Sequence, residues 1–245
     1  MGRDEIFALA QRHHQTGALD EAQRLYEQLL QADPTDDGAL HFLGVLYSQR
    51  HQYEPALQLI QKSLCLKPAE PAYLSNQGNV FRLDERYLSA RQCLTRAVNL
   101  NPVHIDARFN LANVLHALSD YRQAILHYEA ALCLQPAYLD CLLNRAAASH
   151  ARREFECPRI IYERVLQIAP KSHDGTLNLG VLLYENNQQE HALHHLKRAM
   201  AIAPESENAA YNLGNSLGAY GDLVGSTRWC GRVNELCPGM AKAEW

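Results

Sequence analysis

The sequence predicts an all-α solenoid, a chain built from seven stacked helical hairpins of 34 residues each. Three regularities lead to this prediction: prolines that recur at a fixed interval, small side chains at two fixed places in each interval, and apolar residues at helical spacing. A constant period of this length is the signature of an architecture in which each unit packs mainly on its neighbours.

The prolines define the period. Seven of the ten prolines lie 34 residues apart with no insertion or deletion between them, and we call these the grid prolines. They are Pro34, Pro68, Pro102, Pro136, Pro170, Pro204 and Pro238. Placing each grid proline at position 32 of its unit divides the chain into seven units. The units are 3–36, 37–70, 71–104, 105–138, 139–172, 173–206 and 207–240, and residues 241–245 begin a further helix.

Each unit reads as two helices that pack closely on each other. Position 8, in the first half, is always small: Ala10, Gly44, Gly78, Ala112, Ala146, Gly180 and Gly214. Position 20, in the second half, is small in six units: Ala22, Ala56, Ala90, Ala124, Ala192 and Ser226. Small side chains at both places allow the two helix axes to approach.

Other positions of the unit indicate where the two helices of the hairpin lie. Positions 4, 7, 8 and 11 follow helical spacing and predict one buried face of a first helix. A second helix is expected from about position 18 to 30, and the grid proline ends it because proline cannot continue a helix. Position 15, between the helices, suits a tight turn in four units, where it is Gly17, Ser119, Asn187 or Gly221.

Composition argues against several classes of function. A net charge of −4 and a pI near 6.3 are atypical of nucleic-acid binding. No stretch approaches the roughly 18 apolar residues of a membrane span, and the N-terminus has no apolar leader. Seven cysteines without a Cys-x-x-Cys pair favour reduced thiols in a cytoplasm over disulfides or structural zinc.

The small residue at position 8, the Ala at 20, the large residue at 24 and the Pro at 32 resemble the tetratricopeptide repeat. The resemblance covers residues 3–240. It implies a right-handed superhelix whose first helices line a concave wall. We therefore expect a scaffold that binds a protein or peptide ligand, with no active site and no cofactor.

A narrower resemblance leaves an alternative open. The "ALHFLGVLYSQ" segment and the "NLAN" and "NLGN" units are similar to the repeats of O-linked N-acetylglucosamine transferases and their bacterial relatives. On this alternative the chain is the substrate-recognition region of a glycosyltransferase whose catalytic domain lies outside these residues.

A polar stripe runs along the predicted first helices, and we call it the first-helix stripe. At 100° per residue, positions 2, 6 and 9 point away from the partner helix. The stripe carries Asn76, Asn110, Asn144, Asn178 and Asn212 at position 6, Asn79, Asn113 and Asn215 at position 9, and Asp106, Asp140 and Asp174 at position 2.

Two interpretations of the stripe are open. An amide has donors and an acceptor, so a ladder of asparagines can pair with the backbone of an extended peptide whatever its side chains. Alternatively, the asparagines form local hydrogen bonds between repeats. Position 5 offers no Lys or Arg in any unit, which favours an ordinary extended peptide over an acidic C-terminus as the ligand.

Metal binding and catalysis have little support. His191, His194 and His195 have a helical spacing that can bind zinc or nickel, but no fourth ligand is evident, so we expect surface histidines. The chain has no glycine-rich phosphate loop and no nucleophile elbow.

A cysteine–histidine pair is the remaining catalytic candidate. Cys141 and Cys157 lie near His150 in sequence, which is weak evidence for a nucleophile and its base. We expect buried, unreactive thiols instead.

The fifth unit departs from the pattern. It has Arg145 at position 7, Ser149 at position 11, Arg153 at the turn and Pro158 at position 20. Pro158 is expected in the first turn of its helix, where proline is tolerated. A charge on the packing face needs a partner or access to water. We therefore expect the fifth unit to be the softest of the array, either as a degenerate repeat or as a hinge or basic pocket.

The C-terminal end is also unusual. After Pro238, "GMAKAEW" aligns with the opening of another first helix, with Trp245 at position 5. A solenoid normally ends in a polar cap. We expect the chain to be a fragment or to self-associate through its C-terminal repeat.

Overall fold

The computed structural model describes residues 2–236, which form fourteen α-helices joined by short turns. The helices are α1 (Arg3–Gln15), α2 (Leu19–Ala32), α3 (Asp37–Gln49), α4 (Tyr53–Leu66), α5 (Pro71–Leu83), α6 (Tyr87–Leu100), α7 (Ile105–Ala117), α8 (Tyr121–Leu134), α9 (Leu139–Ala151), α10 (Glu156–Ile168), α11 (His173–Glu185), α12 (Gln189–Ile202), α13 (Glu207–Tyr220) and α14 (Leu223–Leu236). Odd-numbered helices are the first helices of the predicted hairpins and even-numbered helices the second, so the predicted fold class is confirmed.

The chain divides into two compact units. The first ends at Gln135 and the second begins at Pro136. Within the first unit, α1–α8 form four hairpins, and each first helix contacts the next first helix. Within the second unit, α9–α14 form three hairpins with the same contacts. Pro238 and the predicted further helix at 241–245 lie outside the described residues.

The small residues at positions 8 and 20 allow the close helix contact that the sequence predicts. Ala56 and Ala90, at position 20, are fully buried. A Cβ atom added to Gly44 would lie 2.7 Å from Ile60 Cγ1, and one added to Gly78 would lie 2.5 Å from Leu94 Cγ. The two helices of a hairpin therefore leave no room for a side chain at these glycines.

Position 15 adopts a left-handed backbone in every hairpin. The positive φ angles are found at Gly17, His51, Glu85, Ser119, Arg153, Asn187 and Gly221. The sequence predicts a tight turn at the four of these positions where the residue is Gly, Ser or Asn. The structure adds His51, Glu85 and Arg153. The side chains of Glu85 and Arg153 disfavour this region, so the hairpin geometry overrides local preference in these two turns.

Arginines at position 26 connect neighbouring hairpins. Arg96 Nη2 donates to the carbonyl of Pro68 at 2.8 Å, and Arg164 Nη2 donates to the carbonyl of Pro136 at 3.1 Å. Arg198 makes the same bond to Pro170. These three arginines thus hold the grid proline of the preceding repeat, whereas Arg232, at the same position of the seventh repeat, bonds to Glu205 and Glu235. The sequence pattern did not predict these contacts.

The fifth hairpin differs at the start of its second helix. Pro158 lies in the first turn of α10, as predicted. In the other hairpins, the residue at position 20 donates its amide to the carbonyl at position 16, as Ala192 does to Gln188 at 2.9 Å. Proline has no amide hydrogen to donate. Accordingly, α10 begins at Glu156, one residue later than the pattern of the other second helices.

Two further findings concern the surface. Arg145 is half-buried rather than sealed in the core, although its Nε atom is buried. Among the described residues, no helix combines the length and the apolar character of a membrane span.

Candidate functional site

The asparagines of the first-helix stripe are half-buried at the surface of both units. In α5, Leu74, Gln77 and Gly78 are buried, whereas Asn76 and Asn79 are half-buried. The other members are also half-buried: Asn110, Asn113, Asn144, Asn178, Asn212 and Asn215. These asparagines are therefore less buried than the packing face of α5, but Asn113 does not point away from its partner helix as predicted, since it contacts Tyr128 of α8.

The carboxylates of the stripe are more exposed than its amides. Asp106, Asp140 and Asp174 lie in the first turns of α7, α9 and α11 and are exposed. None of them forms an ion pair with another residue in the described range 2–236. They contribute negative charge near the helix N-termini, where it is favourable.

Asn76 is committed to the neighbouring repeat. Its amide nitrogen donates to Nε2 of His41 over 2.8 Å. His41 is 2% exposed and its ring lies 4.2 Å from that of Tyr73. Burial lowers the pKa of His41 to about 4, so the ring is neutral at pH 7 and can accept the bond. Asn76 therefore serves the contact between α3 and α5.

Three other asparagines also have partners. Asn113 Oδ1 accepts from the Tyr128 hydroxyl at 2.7 Å, within one hairpin. Asn79 Oδ1 accepts two bonds from Arg82, and Asn212 donates to the Asn208 carbonyl of its own helix. Local hydrogen bonding thus accounts for part of the stripe, as the structural interpretation expected.

Three asparagines are different. The side chains of Asn110, Asn178 and Asn215 form no hydrogen bond with any residue that the structure describes. A half-buried amide of this kind keeps two donors and an acceptor for water or for a ligand. The structure therefore separates the stripe into engaged amides and unengaged ones, a division that the sequence did not contain.

Aromatic rings replace the amides at the start of the stripe. Position 6 of the second hairpin is Phe42, whose ring lies 5.7 Å from Phe7 and 6.1 Å from Tyr26. His14 joins this cluster at 6.4 Å from Phe42, and its ring Nε2 lies 3.1 Å from Gln49 Oε1. The absence of asparagine at position 6 in the first two units is the sequence signal that could have revealed this apolar section.

The histidines of α12 do not converge on a metal site in the described structure. No group of three or more metal-ligating side chains is found within residues 2–236. The rings of His194 and His195 meet edge to face at 5.3 Å. Burial lowers the pKa of His195, and the neighbouring His194 lowers it further.

The cysteine candidates are not brought together with His150. His150 Nε2 lies 2.8 Å from Glu185 Oε2 on the neighbouring first helix. Cys141 is fully buried, and burial raises the pKa of its thiol to about 12, so it stays protonated. Cys157 is exposed.

The structure also contains cavities on another surface, between successive second helices. One of about 830 Å³ lies between α2 and α4, and one of about 260 Å³ lies between α6 and α8. A third of about 590 Å³ lies between α10 and α12. Second helices form most of their walls, and first helices contribute residues such as Tyr47, Leu111 and Leu179.

Sequence comparison identifies repeat families over parts of the chain. Residues 49–131 match the model of anaphase-promoting complex, cyclosome, subunit 3. Residues 13–76 and 176–203 match two tetratricopeptide-repeat models. No curated protein matches the sequence.

Solved structures resemble this chain over longer stretches than the family models match. The chain resembles one in the Cut9–Hcn1 hetero-tetramer of APC/C, with a TM-score of 0.76 and 16% identity; the match covers 86% of this chain and 42% of that one. PilF of Pseudomonas aeruginosa gives a TM-score of 0.74 at 23% identity, covering 84% of this chain and 94% of PilF. YrrB, described as a tetratricopeptide-repeat protein with an unusual peptide-binding site, gives 0.63 at 21%, covering 75% and 95%. The chain is therefore an α-solenoid of the tetratricopeptide-repeat fold.

Proposed function

We propose that this protein is an interaction scaffold whose first-helix stripe holds an extended peptide segment of a partner protein. The observation that carries the proposal is the pair of half-buried, unengaged amides at Asn178 and Asn215 in the second unit; Asn110 in the first unit is unengaged in the same way. Partly desolvated amides hydrogen-bond a peptide backbone without regard to its side chains. The peptide-binding site described for YrrB supports the same class of function.

The remaining stripe residues have different roles in this proposal. Asn76, Asn79, Asn113 and Asn212 keep their present hydrogen bonds. Asn144, on α9, is half-buried and already has a partner. The exposed carboxylates Asp106, Asp140 and Asp174 would favour ligands without acidic side chains in this groove.

The test compares two asparagines at the same position of successive repeats. Asn178 is unengaged, whereas Asn212 donates to its own helix. A ligand is selected from random peptides displayed on phage, and its affinity for Asn178→Ala and Asn212→Ala is measured by calorimetry. One backbone hydrogen bond contributes about 0.5–1.5 kcal/mol, so Asn178→Ala should weaken binding by about 2- to 10-fold.

The control variant Asn212→Ala should bind within about 2-fold of the parent, because its amide is already engaged. Combining Asn110→Ala, Asn144→Ala and Asn178→Ala should weaken binding strongly while helical content and melting stay near those of the parent. A triple variant that binds like the parent would rule out the groove. One that unfolds would make the asparagines structural.

The narrower resemblance supplies a second candidate: substrate recognition for an O-linked N-acetylglucosamine transferase. The "NLAN" and "NLGN" units favour it, because they are similar to repeats of that transferase family and carry asparagines of the first-helix stripe. Reading the encoding gene beyond Trp245 tests it directly. A catalytic domain there would support this candidate, and a continuing series of repeats would favour the general scaffold.

A further inference from the structure

A second interaction surface is suggested by the cavity of about 830 Å³ between α2 and α4. It lies on second helices of the first unit, whereas the stripe proposed to bind peptide lies on first helices. Tyr47, Tyr53 and Leu59 provide aromatic and apolar surface, and Gln58 and Lys62 line it from α4. The two walls of the cavity differ in whether their polar side chains already form hydrogen bonds or ion pairs within the protein.

The α2 wall is fixed by internal hydrogen bonds. Gln23 Oε1 accepts from Arg50 Nη1 at 2.8 Å, while its amide nitrogen donates to Glu27 Oε1 at 2.7 Å. Arg50 also pairs with Asp20, so its charge is compensated. Beside the cavity, His51 Nδ1 lies 2.9 Å from the hydroxyl of Tyr53, one of the lining residues.

The α4 wall has unengaged polar groups. Gln52, Gln58 and Lys62 are exposed, and none forms a side-chain hydrogen bond or ion pair within residues 2–236. Glu54 lies 3.8 Å from Arg86 and is partly compensated. The charge left without a partner along this groove is therefore the Lys62 ammonium group.

Lys62 occupies a position that has a different role in other repeats. It is at position 26, where Arg96, Arg164 and Arg198 donate to the grid proline of the preceding repeat. Lys62 makes no such bond to Pro34. A lysine also lacks the planar fork of donors that suits arginine to this contact. The second repeat thus lacks the inter-repeat contact and instead presents a cation at the cavity.

We propose that this cavity is a docking site for a short acidic segment of a partner protein, with a carboxylate of the partner paired to Lys62. Gln52, which immediately precedes α4, and Lys62 are ten residues apart, about 15 Å at 1.5 Å of rise per residue, which matches four to five residues of extended chain. The amides of Gln52 and Gln58 can hydrogen-bond the partner's backbone. Apolar side chains of the segment contact Tyr47 and Leu59.

The test uses two fluorescein-labelled dodecapeptides, one with Gly-Leu-Glu repeated four times and one with Gly-Leu-Gln repeated four times. Fluorescence anisotropy at low ionic strength measures their affinity for the whole chain. The glutamate peptide should bind at least about 5-fold more tightly than the glutamine peptide, since only its carboxylates pair with the cation. In Lys62→Gln this difference should disappear, with the melting curve unchanged because Lys62 is exposed.

Lys197→Gln is the matched control, because Lys197 is an exposed lysine on α12 of the second unit and its loss changes the net charge equally. It should keep the preference for glutamate. No binding, equal binding of the two peptides, or an equal loss in both lysine variants would overturn the proposal. A stripe ligand selected on phage should keep its affinity for Lys62→Gln, so this site and the first-helix stripe can fail independently.

Discussion

At Gly78 the lack of a side chain is a packing requirement. An added Cβ would lie 2.5 Å from Leu94 Cγ, and Leu94 is fully buried and cannot move freely. Gly214 occupies the same position of the seventh repeat, but its nearest neighbours, Cys230 Sγ and Trp229 Cβ, would lie 3.5 Å away, an ordinary contact distance. Glycine at position 8 therefore avoids a steric clash in the third repeat, whereas in the seventh repeat the neighbouring atoms would tolerate a Cβ.

We expect Gly78→Ala to lower the free energy of unfolding by about 1–2 kcal/mol, because overpacking outweighs the helix-forming advantage of alanine. Gly214→Ala should raise it by up to about 1 kcal/mol, since only the helix-forming advantage applies there. Urea titrations followed by circular dichroism measure both variants. Equal effects of the two substitutions would contradict the packing argument.

At the scale of the helical elements, the hairpin geometry is more regular than the residues that form it. Every position 15 is left-handed, including Glu85 and Arg153. The fifth hairpin keeps this turn but loses one hydrogen bond at the start of α10, where Pro158 has no amide to donate. The fifth hairpin is therefore where backbone hydrogen bonding is weakest at a helix start.

We expect amide hydrogen exchange to be faster over 139–165 than over 105–130, because local stability follows local packing and hydrogen bonding. Pro158→Ala should slow exchange in 156–160 by restoring the missing bond to the carbonyl of Glu154. The effect on global stability should be below about 1 kcal/mol, since the lost rigidity of proline offsets the gained bond. Uniform exchange over both windows, or no change in the variant, would contradict this view.

At the scale of the whole molecule, buried histidines make stability depend on pH. Burial lowers the pKa of His14, His41, His116, His127 and His195. A histidine whose pKa is lower in the folded than in the unfolded state stabilises the fold above its unfolded pKa of about 6.5. That contribution is lost as the pH falls, and for His41 the loss extends down to about pH 4.

Between pH 7 and pH 4.5, we expect the parent to lose about 2–3 kcal/mol more stability than His41→Gln, because at pH 4.5 His41 is protonated in the unfolded state but largely neutral in the folded one. Glutamine can still accept the hydrogen bond from Asn76. Urea titrations of both proteins at the two pH values measure the difference. Parallel losses would show that His41 does not control the acid sensitivity.

The sequence by itself determined the period, the hairpin and the small residues at the helix contacts. These features follow from spacing along one helix or from a strict repeat, and both are properties of the chain alone. The position of Pro158 in a first helical turn was also predictable, because proline's missing amide restricts it wherever it occurs.

Only the tertiary structure decided which polar groups are engaged. Asn76 meets His41, which is 35 residues away, and Asn113 meets Tyr128, while Asn178 meets no described residue, although all three belong to one sequence pattern. Likewise, Lys62 and Arg96 share a position, but only Arg96 holds the preceding proline carbonyl. The physical reason is that a hydrogen bond requires a neighbouring group at the right distance and angle, and that group often belongs to another repeat. A pattern that is the same in every repeat does not show where these neighbouring groups differ.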